Sequence, residues 1–523
     1  MDESKGKILW IDDEIDLLKP HIILIEQRGY SVDQVTNGED AVELVKQKQY
    51  DLIFLDESMV GMSGLDTLPI LKETNPYTPI VMVTKNEAES VMEEAIGKKI
   101  DDYLTKPVNP AQILAAIKKH LESHKIRSDR LSHDYLIGFH QLNTRFFDKL
   151  NWNDWLDIYL KLVSWSMELD KSPELGFEQT LKDQWREADS AFSKFVEDNY
   201  HDWVNKSYND NIPDLSPDII EKYLFPQLKN SKPTVFFVID CMRLDQWLVM
   251  EELLKPYYTF QKDYYNSIIP TATPYARNAI FAGLMPIDIQ KHYPQWWAGV
   301  TNSEDHKANA YEKELLEEQL RRKKIKLNNP INYIKIHDTD FGKKIESNVL
   351  TYAQSHLTAI VINSVDMIAH SRSDFAILKE IAPDEAAYRS LTKSWFQHSS
   401  FFGMLKLLAG LDINIIITTD HGSIRCMRGV KVLGDKDTST CLRYKFGKNV
   451  KAEQRHAMQI RNPINYKLPI SGVTVNNIIA KEDYYFVYPT DYHHYLQRYK
   501  DSFQHGGISM EEMIIPVITL RTK

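Results

Sequence analysis

The chain has 523 residues, 43% of them apolar and 26% charged, with a net charge of −10. That length is too great for one core, so two to four domains are expected. The acidic balance argues against general nucleic-acid coating, and no uninterrupted run approaches the roughly 18 apolar residues of a membrane span. The first residues, MDESKGKILWIDDE, are charged and run into a strand-like stretch, unlike a signal peptide. Cysteine occurs only as Cys241, Cys426 and Cys441, with neither metal spacing nor a disulfide framework. The cytoplasm is the expected compartment, with no membrane association.

Residues 1–120 alternate strand and helix patterns: KILWIDD, DLLKPHIILIEQRG, YSVDQVTN, GEDAVELVKQKQ, DLIFLDE, a helix around LDTLPILKETN, PIVMVTK, another helix, DDYLTK, and a last helix from Asn109–Pro110. Such alternation predicts a parallel, doubly wound α/β sheet with its functional loops at the carboxyl ends of the strands. Residues 121–210 lose the strand signal; Trp152, Trp155 and Trp165 recur at helical spacing, which predicts a helical bundle or spacer. From 211 to 523 short apolar runs return as TVFFVID, HLTAIVIN, INIIITTD and EMIIPVITL, predicting a second α/β domain.

In the first segment Asp12 and Asp13 follow the first strand, Asp56 the third, Thr84 the fourth and Lys106 the fifth. Strand ends converge in a doubly wound sheet, and clustered carboxylates need a hard cation such as Mg²⁺. A metal-held carboxylate can accept a phosphoryl group whose oxygens a hydroxyl and an ammonium then hold. The stretches WIDDE, FLDESMVGMSGLD, VMVTK and DDYLTKP resemble the two-component receiver family. That resemblance implies Mg²⁺ on Asp12, Asp13 and Asp56, phosphorylation of Asp56 by a sensor histidine kinase, readout by Thr84 and Lys106, and inward rotation of Tyr103. One departure is Val60–Gly61, where the family usually has Pro after the Met; that Pro shapes the loop but supplies no chemistry.

The last segment carries no basic helix pair of the kind that reads duplex DNA, so no direct duplex binding is expected. Isolated acids and imidazoles stand at strand ends instead: Asp240, Asp366 with His370, Asp420 with His421, and His505 in HGGISMEE. Carboxylate and imidazole together suit Zn²⁺, and two neighbouring divalent ions stabilise the attacking and leaving oxygens of a displacement at phosphorus. What such a site lacks is a nucleophile, and the stretch IIPTATPYAR supplies two hydroxyls, Thr271 and Thr273.

The set Asp…Thr…Asp-x-x-x-His…Asp-His-Gly…His-Gly-Gly resembles the alkaline phosphatase superfamily, closest to its PglZ branch, over 211–523. The resemblance implies one zinc on Asp240, Asp420 and His421 and another on Asp366, His370 and His505. In phosphodiesterases of that superfamily the nucleophilic Thr opens a helix ten residues before a Gly-Leu-x-Pro turn, a spacing met by Thr273 and Gly283 and missed by Thr271. Thr273 is therefore the first choice and Thr271 the fallback. Arg277 and Asn278, one turn on, are candidates to orient a phosphate or plain solvated helix residues. Sulfatase chemistry is not expected, because its modified residue derives from Cys or Ser.

Between Arg425 and Arg461 stand ten Lys or Arg against three Asp or Glu, with Tyr444 and Phe446 among them. This stretch reads equally as a solvated face or as a groove for a short or cyclic oligonucleotide, and an acidic protein partner would also suit it. Receiver, helical spacer and PglZ-type domain in this order resemble response regulators associated with bacterial type IX secretion. That likeness implies dimerisation on phosphorylation, a sigma-factor partner and phosphodiesterase activity on oligonucleotides. The competing reading is a metal-binding scaffold that senses a nucleotide or holds a transcription partner, with catalysis incidental.

Overall fold

The computed structural model describes the chain except residues 1–4, 76–77, 86–99, 147, 173–175, 207–211, 230–231, 298–308, 435–440 and 471–474. The helix expected between PIVMVTK and DDYLTK falls outside the described residues. Two compact units divide the chain, 1–138 and 139–523.

In the first unit β1 (Lys7–Ile11), β2 (Ser31–Val35), β3 (Leu52–Asp56), β4 (Ile80–Thr84) and β5 (Asp102–Thr105) form one sheet in the order β2-β1-β3-β4-β5. Every pairing in it is parallel. Helices α1 (Lys19–Gln27), α2 (Gly38–Gln47), α3 (Gly64–Thr74) and α4 (Pro110–Ile117) alternate with the strands. Strands β3 and β4 are buried throughout, as parallel strands covered on both faces must be. Three of the helix starts are marked in the sequence: the side chains of Asn37, Ser63 and Asn109 accept backbone N–H groups of α2, α3 and α4. Residues Ser123–Arg145 form α5.

The second unit begins with the helical segment, α6 (Trp152–Leu169) and α7 (Glu178–Val204). Their shared face is aromatic: Trp155 lies against Phe192 and Phe195, and Phe195 against Trp203. This segment belongs to the second compact unit, where those rings find a buried partner face.

Its main sheet contains β6 (Thr234–Ile239), β7 (Tyr258–Asn266), β8 (Asn332–Ile336), β9 (Leu357–Ile362), β10 (Asn414–Thr418) and a late strand, Ile514–Thr522. Helices α8 (Leu244–Leu254), α9 (Thr273–Ala282), α10 (Glu312–Arg322), α11 (Ser364–Asp374) and α12 (Glu385–Gln397) intervene. Strands β10, β6, β9 and β8 run parallel in that order. The late strand inserts antiparallel between β10 and β7. Short strands β11 (Ile424–Cys426), β12 (Arg428–Lys431), β13 (Tyr444–Lys448), β14 (Ala457–Ile460), β15 (Val475–Ala480), β16 (Tyr484–Val487) and β17 (Ser502–Gln504) form three small sheets, making the late strand β18. The carboxyl ends of the four parallel strands place Asp240, Thr419–Asp420, Asn363 and His337 along one edge, the position at which open α/β sheets bind ligands.

Candidate functional site

At the end of β6 the chain turns sharply through Cys241, whose φ of 63° lies in the left-handed region. The turn aims the Cys241 N–H at Asp420 Oδ1 (3.2 Å) and the Met242 N–H at Thr419 Oγ1 (3.0 Å). Asp240 and the Asp420–His421 pair are thereby fixed side by side. Ligand atoms of Asp240, Asp420 and His421 lie within 4.8 Å of one another, and so do those of Asp366, His370 and His505. The His421 and His505 rings stack at 4.3 Å and join the two clusters. Asp366 and His370 stand one turn apart on α11, with His370 Nε2 3.4 Å from Asp366 Oδ1.

Thr273 opens α9 and brings its hydroxyl 3.2 Å from Asp240 Oδ1 and 3.1 Å from His421 Nε2. His421 Nδ1 lies 3.0 Å from the Gly422 carbonyl. That acceptor assigns the ring proton to Nδ1 and leaves the Nε2 lone pair facing Thr273 and the carboxylates. Thr271 is oriented otherwise: its fully buried hydroxyl donates to the Gly507 carbonyl (2.8 Å) and accepts from Gly506 N–H (3.1 Å).

The residues fit a pair of divalent cations. Asp240, Asp420 and His421 are all buried, and Asp420 Oδ2 has no hydrogen-bond partner among the described residues. Burial pushes the Asp240 carboxyl up to about 7, against the pull of Arg277, and raises Asp420 too. Burial also lowers His505 to about 3, keeping it in the neutral form that ligates metal. Two carboxylates with one imidazole, beside one carboxylate with two imidazoles, are donor sets suited to Zn²⁺.

Arg277 and Asn278 require correction. Arg277 is only 2% exposed; its Nε bonds Glu312 (2.7 Å) and its Nη1 lies 2.8 Å from Asp240 Oδ2 and 3.8 Å from Asp420 Oδ2. A guanidinium so engaged is no solvated helix residue; it balances the charge of the Asp240 and Glu312 carboxylates. The buried Asn278 amide donates to the Pro274 carbonyl and accepts from Asn309, which also bonds the Thr273 carbonyl. Glu312, Asn309 and Asn363 escaped the reading of the sequence. Only Asn363, directly after β9, carried a signal, because it ends a parallel strand as Asp240 does.

The HGGISMEE stretch builds a loop. Gly506 has φ 114°, a conformation only glycine adopts easily, and a Cβ on Gly507 would strike the Arg443 guanidinium. Glu512 accepts from Gly507 N–H (2.8 Å) and pairs with fully buried Arg443 (2.5 Å). Other cations of 425–461 are likewise paired: Arg425 with Asp501, and Arg428 with Glu482 and Asp483. Part of the basic run is thus engaged within the fold, with Arg443 fully buried against Glu512, while Lys431, Lys448, Lys451, Arg455 and Arg461 are exposed.

In the first unit Asp12, Asp13 and Asp56 form a third carboxylate cluster. Lys106 Nζ lies 2.8 Å from Asp12 and 3.0 Å from Asp56. Burial pushes the Asp56 carboxyl up to about 6, with Lys106 opposing the shift. Thr84 is buried and donates to Glu57, while Tyr103 is 42% exposed.

Comparison with known proteins finds three families along the chain. Residues 219–520 match the family described as the BREX system PglZ alkaline phosphatase-like domain, residues 8–118 the response regulator receiver domain, and residues 125–204 the PorX response regulator linker domain. AlgB, the alginate biosynthesis transcriptional regulatory protein of Pseudomonas syringae pv. tomato, is 34% identical over 124 residues, 24% of this chain and 28% of that protein. YkoG, an uncharacterized transcriptional regulatory protein of Bacillus subtilis, is 31% identical over 24% of this chain and 55% of its own length. The match thus spans about a quarter to a half of these relatives. Among solved structures, the receiver domain of the Francisella response regulator 1452 matches 23% of this chain and 98% of its own at 24% identity, TM-score 0.22. The BeF3-activated DrrB receiver domain matches 22% and 97% at 30% identity, TM-score 0.21.

The chain belongs to the PglZ family of alkaline phosphatase-like domains, here joined to a receiver. With the linker domain between them, its architecture is that of a PorX-type response regulator.

Proposed function

We propose that this response regulator is phosphorylated on Asp56 by a sensor histidine kinase, and that its output domain is a zinc-dependent phosphodiesterase. Thr273 is the nucleophile, and linear or cyclic oligonucleotides are the substrate class. The observation that carries this reading is the Thr273 hydroxyl 3.2 Å from Asp240 and 3.1 Å from His421, beside the second cluster. Asp240, Asp420 and His421 would hold one Zn²⁺ and Asp366, His370 and His505 the other, while Asp12, Asp13 and Asp56 would hold Mg²⁺. Bound there, zinc supplies Lewis-acid stabilisation of charge on the attacking, leaving and phosphoryl oxygens.

The chain's own residues supply the rest. Asp240 Oδ1 accepts the Thr273 hydroxyl proton and points the oxygen lone pairs outward. The amino end of α9 presents partial positive charge to an incoming phosphate. Attack of Oγ on phosphorus forms a threonyl phosphodiester and breaks the bond to the departing alcohol, which takes up a proton. Water then cleaves the threonyl ester and regenerates the hydroxyl. Arg277 opposes the protonation that burial favours at Asp240 and Asp420. In the receiver, Lys106 and Thr84 hold the oxygens of phospho-Asp56. Dimerisation on phosphorylation, a sigma-factor partner and control of type IX secretion belong to the same reading.

The deciding experiment measures metal content together with hydrolysis of an activated phosphodiester by the native chain and Thr273→Val. Retained zinc with turnover lowered at least about a thousandfold is expected, since covalent catalysis is removed outright. Turnover that survives the substitution would exclude Thr273. Metal bound without turnover on any oligonucleotide would favour the scaffold.

A further inference from the structure

Helix α7 belongs to the linker, yet its polar side chains point into the loops that carry the candidate active site. Met510 N–H donates to Asp189 Oδ1 at 3.0 Å, Ser193 Oγ donates to the Ile508 carbonyl at 3.2 Å, and Ile269 N–H donates to the Tyr200 hydroxyl at 3.0 Å. Glu197 pairs with Lys481, which bridges in turn to Ile508. Positions 189, 193, 197 and 200 are spaced four, four and three apart, so they lie on one face of the helix. Asp189, Ser193 and Tyr200 are all buried.

These contacts converge on two segments. Residues 268–273 end in Thr273, and residues 505–512 begin with His505. The segments are tied to each other through Thr271, which bonds both Gly506 and Gly507. Among the described residues, no member of the metal-ligand clusters comes from α7. A buried tyrosine hydroxyl and a buried serine hydroxyl, each bonded to loop backbone, add nothing to the helix that bears them. They act on where the loops sit.

The geometry points to α7 as a strut of the active site, with Ser193 and Tyr200 as positioning residues that set the spacing between Thr273 and His505. This rests on reading Thr273 as nucleophile and His505 as ligand.

The test uses the full chain as Tyr200→Phe, Ser193→Ala, the double variant, and Asp198→Ala on the exposed side of α7 as control. Phenylalanine keeps the ring beside Trp203 and Tyr466, so packing is preserved. Amide hydrogen exchange is followed over 266–273 and 505–513, with and without zinc, alongside metal content and steady-state hydrolysis of an activated phosphodiester. Loss of one buried hydrogen bond should speed exchange about tenfold, near Ile269 for Tyr200→Phe and near Ile508 for Ser193→Ala. The double variant should lose about tenfold or more in kcat with KM and metal content unchanged. Rescue is expected from Ser193→Thr, which keeps the donor. Unchanged exchange in both loops, or exchange that rises equally in β6 and β10, would overturn the strut. If the native chain itself turns over nothing, the hydrolase reading fails and the exchange pattern alone decides the strut; the single variants suffice if the double one does not fold.

Discussion

Thr271 and Thr273 are two residues apart and chemically identical, yet their surroundings assign them different work. Thr271 cross-links two loops through backbone bonds, while Thr273 faces Asp240 and His421. Thr271→Val should therefore lower stability, by about 1–3 kcal/mol for the unsatisfied Gly506 N–H, and unfolding in urea checks it. At Arg277 the expectation is sharper. Its guanidinium sits among Asp240, Asp420 and Glu312, all buried. Arg277→Met leaves those carboxylates without their cation and should cost about 3–5 kcal/mol in the chelated protein. Added zinc should restore part of that loss, a difference that denaturant midpoints with and without chelator would reveal. An equal loss in both conditions would separate Arg277 from the metal site.

At the scale of elements, α7 meets the segment before β18 through two acids, buried Asp189 and partly buried Glu511. Burial raises Asp189 to about 7 and pushes Glu511 well above its ordinary value. A carboxyl raised in the fold binds more protons than in the unfolded chain, so stability falls as pH rises from about 4 to 7. Asp189→Asn keeps an oxygen acceptor for Met510 N–H and removes the titrating group. Its urea midpoint should exceed that of the native chain at pH 8 and approach it near pH 4; a pH-independent difference would refute the assignment. The strands show a related contrast. Runs such as TVFFVI and LTAIVI are buried on both faces and were legible as strands. Strands β7, YTFQKDYYN, and β8, NYIKI, lie at the two edges of the sheet, where part of each strand faces solvent and the polar residues hide the pattern.

At the scale of the whole molecule, three carboxylate-bearing clusters among the described residues lie in two compact units. A zinc-selective chelator with Mg²⁺ kept in excess should destabilise residues 139–523, where six ligand groups would lose their cations, and leave a separate receiver transition nearly unmoved. Calorimetry of the full chain with and without chelator checks this, and a single transition shifting as one would contradict it. Asp56→Asn should abolish labelling by a small phosphoryl donor while zinc content stays unchanged. No described helix is long and apolar enough to cross a membrane.

Local chemistry made much of this protein legible before any fold was known. Alternating apolar runs announced two α/β domains, and acids placed after them announced the clusters, because a strand end exposes whatever residue follows it. The spacing from Thr273 to Gly283 singled out the helix start. Partnership, by contrast, depends on residues far apart in the chain. The engagement of Arg277 with Glu312, the internal pairing of Arg425, Arg428 and Arg443, and the reach of α7 to Ile269 and Ile508 join segments up to hundreds of residues apart. A charged or hydroxyl side chain reads the same in sequence whether it faces water or a buried partner. Burial removes the water and makes the partner obligatory, so folding assigns its role.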